Sequence, residues 1–482
     1  MTGINLNIGI IHSLIGKNDG VSIVIDQTVE AMIKDMGINL GNFFFLAAHS
    51  SPRFNAETDE IFWHKNDIHK KILTHFSTPP PDNFESEIHE HALYAKSVIK
   101  KWVEKNDIDL IIAHNTSHTY NFITAVGLGY YFEELRNEGI IWPKIMVWWH
   151  DSWFEREIFS KPNNVIQKFL KYLPGVYLDA ILFINKSQIE LGKRFYEKFN
   201  NKDSKRFFDT RTAVVPNTSN INWNWKEDMW NNNQIIHPPA DRYNDTFFKD
   251  IGLIEAIQSK NFELKDTTIL LQHTRVVPRK KIEVAIDFAF ELEKEMLANN
   301  SKKCVVLLVS GHSGDEQSQY KQFLIDYQKK KEKENPQANV FLIFGEDSIL
   351  SHRDIIVDKK YYKFSEIPDI ISKQGGLGTY FSEIEGFGNN LLEMISSGLP
   401  VAINKYQVYK DEIEEYGFIL PAIENCLLDN KVIKESFKLL DNINYRNQVV
   451  YHNLNTIEKK LGHEIISKKL VHIIKNIFTR TL

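Results

Sequence analysis

Two glutamates with seven residues between them, Glu385 and Glu393, bracket the turn Gly386-Phe387-Gly388. Ionised carboxylates only accept hydrogen bonds, which suits the hydroxyls of a sugar or a ribose. The two glycines let backbone approach a ligand closely. A helix is expected to start near Asn389 or Asn390, both good capping residues, and to stop at Gly398 and Pro400. Its first amides and the positive end of its dipole favour a phosphate. The apolar run Leu377-Gly-Thr-Tyr-Phe381 before the turn reads as a buried strand end. Two glutamates at a helix end are ordinarily just solvated. The turn, cap and stop around this pair favour binding.

A second stretch, Thr274-Arg275-Val-Val-Pro-Arg279-Lys280-Lys281, follows another apolar run and offers cations from one turn. Arg275 and Lys280 together can neutralise a diphosphate, while Arg279 and Lys281 read as surface residues. Trp148-Trp149-His150-Asp151 closes a third apolar run. A residue at the carboxyl end of a parallel strand faces the ligand crevice, which makes His150 a candidate site residue.

These three stretches need a scaffold of strands and helices. Leu6–Ile11 reads as a buried strand, Gly16–Gly20 as a loop and Val21–Met36 as a helix, the opening of a doubly wound α/β unit. Strands at Phe43–Ala47, Leu110–Ala113, Ile145–Trp149 and Ala180–Ile184 alternate with helical patterns, which favours a mostly parallel sheet. The rhythm restarts at Thr268–Gln272, Val305–Val309 and Val340–Phe344. The expectation is therefore an α/β protein of two facing Rossmann-like domains, with the ligand in the cleft between them. The boundaries are placed at residues 1–225 for the first domain, 226–245 for a Pro- and Asn-containing linker, and 246–455 for the second domain. A C-terminal helical segment, 456–482, is expected to pack back toward the first domain.

Bulk properties narrow the classes. At 482 residues the chain exceeds one core. Its net charge of −5 gives no argument for nucleic acid. Two cysteines, Cys304 and Cys426, exclude a disulfide framework and show no zinc-ligand spacing, so no metal site is expected. Neither a membrane-length apolar run nor a secretory leader is visible, and a cytoplasmic setting is the expectation. Oligomeric state is not encoded.

The stretch Glu385-Gly-Phe-Gly-Asn-Asn-Leu-Leu-Glu393-Met-Ile-Ser-Ser-Gly-Leu-Pro-Val401 resembles the E-x7-E signature of retaining GT-B glycosyltransferases of family GT4. The resemblance is strongest over residues 268–410. It implies two facing Rossmann-like domains and transfer of a hexose from a nucleoside diphosphate sugar, GDP-mannose or UDP-glucose, to an acceptor hydroxyl. It places Glu385 at the donor sugar, Glu393 at the ribose, and the amides of Gly386, Phe387, Gly388 and Asn389 along the sugar and diphosphate. Arg275 and Lys280 become the pair that stabilises the leaving group, and His150 lies by the donor sugar and acceptor with Asp151 as its partner. Relatives often carry two adjacent glycines where this chain has Asp19-Gly20, so Gly20, Lys17 and Asn18 are assigned to an acceptor or phosphate loop. No cofactor beyond the nucleotide sugar is implied, and no metal. The segment Ile403–Ile413 with Tyr416-Gly-Phe418 resembles a GT4 branch that includes mannosylglucosylglycerate-type compatible-solute synthases, which implies a small soluble acceptor. Two alternatives stand beside this reading: a membrane-peripheral transferase acting on lipid or polysaccharide, and a non-catalytic GT-B protein that only binds nucleotide sugar. The basic and aromatic residues from Lys193 to Phe208 fit the membrane alternative, but read better as a helix with a core-facing aromatic stripe.

Overall fold

The computed structural model describes residues 6–17, 19–199, 204–223, 234–239, 244–312, 318–350 and 362–479. The chain divides into two compact units, Met1–Asn217 with His463–Leu482, and Thr218–Gly462.

The first unit is built on strands β1 (Ile8–Ile11), β2 (Phe43–Ala47), β3 (Ala56–Thr58), β4 (Leu110–His114), β5 (Lys144–Trp149), β6 (Ala180–Phe183) and β7 (Thr212–Val214). They form one sheet in the order β3-β2-β1-β4-β5-β6-β7, and every neighbouring pair is parallel. β1, β4 and β5 are buried along their whole length, as sheets covered on both faces require. Helices α1 (Gly20–Met36), α2 (Phe84–Asn106) and α3 (Phe122–Asn137) supply the crossovers. The aromatic stripe packs inward: Phe195 and Tyr196 are buried, and Phe208 nearly so.

The second unit repeats the design with β8 (Thr267–Gln272), β9 (Cys304–Val309), β10 (Val340–Phe344), β11 (Leu377–Tyr380), β12 (Val401–Asn404) and β13 (Ala422–Ile423). Its sheet order is β10-β9-β8-β11-β12-β13, again parallel throughout. Cys304 is a buried β9 residue. Helices α4 (Ile282–Ala298) and α5 (Asn389–Ser396) follow β8 and β11 and begin at their carboxyl ends. The last helix, α6 (Glu464–Thr479), returns to the first unit and packs on α1. Ile466, Leu470, Ile473, Ile474 and Ile477 form its buried face, spaced as one stripe of a 3.6-residue period.

Two edge strands escape the sequence pattern. β3 carries Glu57 and Thr58 and has no apolar run, and β13 is only two residues long. Most of the expected 226–245 linker lies outside the described residues. No described helix is long and apolar enough to cross a membrane.

Candidate functional site

In the second unit, β8 and β11 lie side by side, with Gln272 opposite Thr379. Their outgoing loops therefore meet. From β8 come His273, Thr274, Arg275 and the short 3-10 turn Pro278–Lys280; from β11 come Ser382 to Gly388. Lys280 is buried and pairs with Glu385 Oε1, while Arg279 donates to Glu385 Oε2 at 3.0 Å and to the Ile384 carbonyl at 2.8 Å. The Glu383 amide returns a bond of 2.9 Å to the Arg279 carbonyl, which staples the two loops. Arg279 is thus a half-buried partner of the signature glutamate, contrary to its reading as a surface residue. Lys281 pairs with Glu383 at 3.0 Å.

Burial would raise the Glu385 carboxyl, but Lys280 and Arg279 outweigh it and bring it down to about 2. Burial lowers the Lys280 ammonium to about 8 against the opposing pull of Glu385, with Arg279 and Arg275 adding to the fall. Both groups are charged at neutral pH. Lys280 also lies 5.4 Å from the Tyr380 ring centroid, a cation–π distance. Arg275 itself is exposed. Two cations, Lys280 and Arg279, thus share one carboxylate, and Arg275 is near enough to act on Lys280.

The turn after Glu385 departs from expectation in one respect. Neither asparagine caps α5: Gly388 does, and it has no side chain to offer the first amides. Gly388 has a φ of 124°, and an added Cβ would collide with the Tyr406 hydroxyl, which donates to the Phe387 carbonyl at 2.6 Å. Asn389 is the first helical residue, and Asn390 donates to the His273 carbonyl at 2.5 Å. Phe387 is buried, while Gly386 is exposed. Glu393 lies one turn along, 3.6 Å from His273 Nε2. His273 bonds Ser310 Oγ at 2.9 Å through Nδ1 and stacks on Phe364 with centroids 3.9 Å apart. Gly311, after β9, presses on the Thr274–Arg275 backbone so closely that no side chain fits there. The turn thus joins backbone amides to a carboxylate and to cations.

The first unit gathers different chemistry. Its parallel register sets Ile11 beside Ala113 and Ala113 beside Val147, so the strand ends coincide. Three histidines sit there. His12 Nδ1 lies 3.2 Å from the His114 carbonyl, and His114 Nδ1 lies 3.0 Å from His150 Nε2. Trp148 stacks on His114 at 5.4 Å. Burial holds His150 down to about 3, with His12 adding to the fall. Burial likewise puts His114 well below its ordinary range, and His12 falls below it too although Asp19 pulls the other way. All three are neutral at pH 7.

Asp151 is not the partner of His150. It is tied to Arg156, whose Nε donates at 2.9 Å, it receives the Ser152 amide at 2.8 Å, and it stands 3.7 Å from His118 Nε2. The Asn115 side chain accepts the Asp151 amide at 2.9 Å, so this pair positions the loop after β5. Gly20 is the first residue of α1 and Lys17 is half-buried in the loop before it; Asn18 lies outside the described residues. Asp19 caps α1, accepting from the Val21 and Ser22 amides at 3.1 and 3.0 Å and from Ser22 Oγ at 2.7 Å. The sequence reading missed Asp19, His12 and His114. The signal available was a histidine directly after each of two apolar runs, Ile8–Ile11 and Leu110–Ala113, as after Trp149.

No family model matches the chain. Over 497 aligned residues it is 27% identical to mannosylglucosylglycerate synthase of Petrotoga mobilis, covering 99% of both chains. Among solved structures, a glycosyltransferase from Rickettsia africae aligns with a TM-score of 0.57 at 11% identity, over 98% of this chain and 99% of the other. Sucrose-phosphate synthase of Thermosynechococcus elongatus aligns with a TM-score of 0.56 at 13% identity, with the same coverage. The chain has the GT-B fold. In GT-B terms, Arg275, Arg279, Lys280, Glu385 and Glu393 belong to the C-terminal Rossmann-like unit, and the histidines to the N-terminal one. The GT-B unit with the cations ends its loops in charge; the other ends them in neutral imidazoles.

Proposed function

We propose that this GT-B protein is a retaining hexosyltransferase using a nucleoside diphosphate sugar. The observation that carries the reading is the junction of Lys280, Arg279 and Arg275 with a helix N-terminus whose capping residue is a glycine. Such a junction matches a diphosphate, the group on which charge develops as the glycosidic bond breaks. Glu393, a turn inside α5, suits the ribose hydroxyls. Glu385 has one oxygen engaged by Lys280 and the other by Arg279, and retains lone pairs for a sugar hydroxyl.

In the reaction the bond from the anomeric carbon to the phosphate oxygen breaks, and a bond from that carbon to the acceptor oxygen forms on the same face. The proton of the acceptor hydroxyl passes to the leaving phosphate, so no protein base is needed. Lys280 and Arg275 stabilise the departing nucleoside diphosphate. The acceptor is held in the N-terminal unit, beside His150.

The full-length similarity to a mannosylglucosylglycerate synthase favours GDP-mannose as donor and glucosylglycerate as a small soluble acceptor. Calorimetric titration with GDP, UDP and ADP tests the donor site, and mass spectrometry of the product of GDP-mannose and glucosylglycerate tests the transfer. The expected results are tight binding of GDP, lost in Lys280→Ala, and a new mannosylated product with retained configuration. Absence of binding by all three nucleotides would falsify the reading.

A further inference from the structure

We infer that His114 is a positioning residue that fixes the tautomer of His150, and that His12 and His150 together present one hydrogen-bond acceptor and one donor to the acceptor substrate. This deepens the transferase reading above and rests on it for the identity of the ligand.

The argument follows the protons. A carbonyl oxygen only accepts, so His12 Nδ1, 3.2 Å from the His114 carbonyl, carries the hydrogen. A neutral His12 then has a bare lone pair on Nε2. Between His114 Nδ1 and His150 Nε2, 3.0 Å apart, one nitrogen donates and one accepts. His114 is fully buried, and its Nε2 has no hydrogen-bond partner among the described residues. A proton placed there would be a buried donor with nothing to receive it, a rare and costly arrangement. The proton therefore sits on His114 Nδ1 and is donated to His150 Nε2. His150, neutral and accepting at Nε2, carries its own hydrogen on Nδ1.

Exposure supports the same direction. His114 has none, whereas His12 and His150 keep 6% and 7% of their surface. The chain runs from a sealed residue to two that reach the strand-end surface. The charged and titratable groups around it are Asp19 and His64 near His12, and His118 with Asp151 and Arg156 on the neighbouring loop. Among the described residues none of them bonds the ring of His114 or His150, so the direction of the His114–His150 bond is set by the two imidazoles themselves. A polyol hydroxyl both donates and accepts, which is the chemistry that an imidazole lone pair and an imidazole N–H recognise side by side.

Nitrogen-15 NMR of the histidine-labelled full chain reads the tautomers without any substrate. The expected spectrum at pH 7 shows His150 protonated at Nδ1 and bare at Nε2, with His114 protonated at Nδ1. A protonated His150 Nε2 overturns the inference. Kinetics give a second reading. His114→Phe keeps the ring against Trp148 but removes the donor, and kcat is expected to fall at least about tenfold with the nucleotide Kd unchanged. His114→Asn, whose amide nitrogen stands in about the place of Nδ1, is expected to recover most of that loss. A purely structural role predicts the opposite order, with the phenylalanine variant the more active. If the parent protein transfers no sugar, the transferase reading fails, while the NMR result still decides the direction of the hydrogen bond.

Discussion

The chain makes the same turn twice, once after β1 and once after β11, and fills it with opposite charge. After β1 the helix is capped by Asp19, whose carboxylate takes the Val21 and Ser22 amides. After β11 the helix is capped by Gly388, which has no side chain, and three cations stand nearby. A helix N-terminus attracts one anion. The first turn carries its own; in the second the capping residue supplies none. Under the proposed function, the difference separates a unit that would meet hydroxyls with neutral histidines from a unit that would meet phosphate with charge, although both sheets are parallel throughout.

Acid is the strongest way to separate the two. His150 and His69 are held down to about 3, and His118 and His463 to about 4, all chiefly by burial in the first unit. Unfolded histidines titrate near 6.5, so between that pH and the folded values the unfolded state binds more protons and stability falls as pH falls. The loss approaches roughly 1.4 kcal/mol per pH unit for each histidine. Glu385, at about 2, keeps its charge over the same range. The first unit is expected to unfold first, by about pH 4 to 5. Tryptophan fluorescence is a suitable probe because six of the nine tryptophans lie in that unit, and hydrogen exchange on the whole chain locates the change. Simultaneous loss of both units would erase the contrast.

Lys280→Ala comes next. It leaves the buried Glu385 with Arg279 as its remaining cation, and removing one partner of a buried pair costs about 3–5 kcal/mol. Denaturant unfolding should show that loss in the second unit, with nucleotide affinity lost in calorimetry. Gly388→Ala is expected to cost about 1–3 kcal/mol from its left-handed backbone, plus the collision with Tyr406, and to weaken nucleotide binding. The smallest effect is Asp19→Ala, about 1 kcal/mol for a lost cap, with nucleotide affinity unchanged. A nucleotide Kd that responds to Asp19→Ala as strongly as to Lys280→Ala would mean that both turns bind phosphate.

The proposed donor site was legible because its parts are adjacent in the chain. Glu385, the Gly386–Gly388 turn and Glu393 lie within nine residues, and short-range spacing survives any error about the fold. Arg279 was misread because an arginine beside a lysine-rich turn resembles solvated surface, and its partner is 106 residues away. His12 and His114 lay further out of reach. Their meeting depends on β1 pairing with β4, and His114 meets His150 only through β4 pairing with β5, so the register of three strands had to be known first. Asp19 was not legible because an aspartate before a glycine is ordinary loop composition, and only the structure shows its carboxylate on the Val21 and Ser22 amides.

The return of α6 to the first unit has a consequence for synthesis. Residues 218–462 are made between the two parts of that unit. When the first 217 residues leave the ribosome, α1 still lacks α6, the helix that packs on it. The second unit is contiguous and can finish on its own schedule. The first waits until residues 464–479 have been made, so the first unit to be started is the last to be completed.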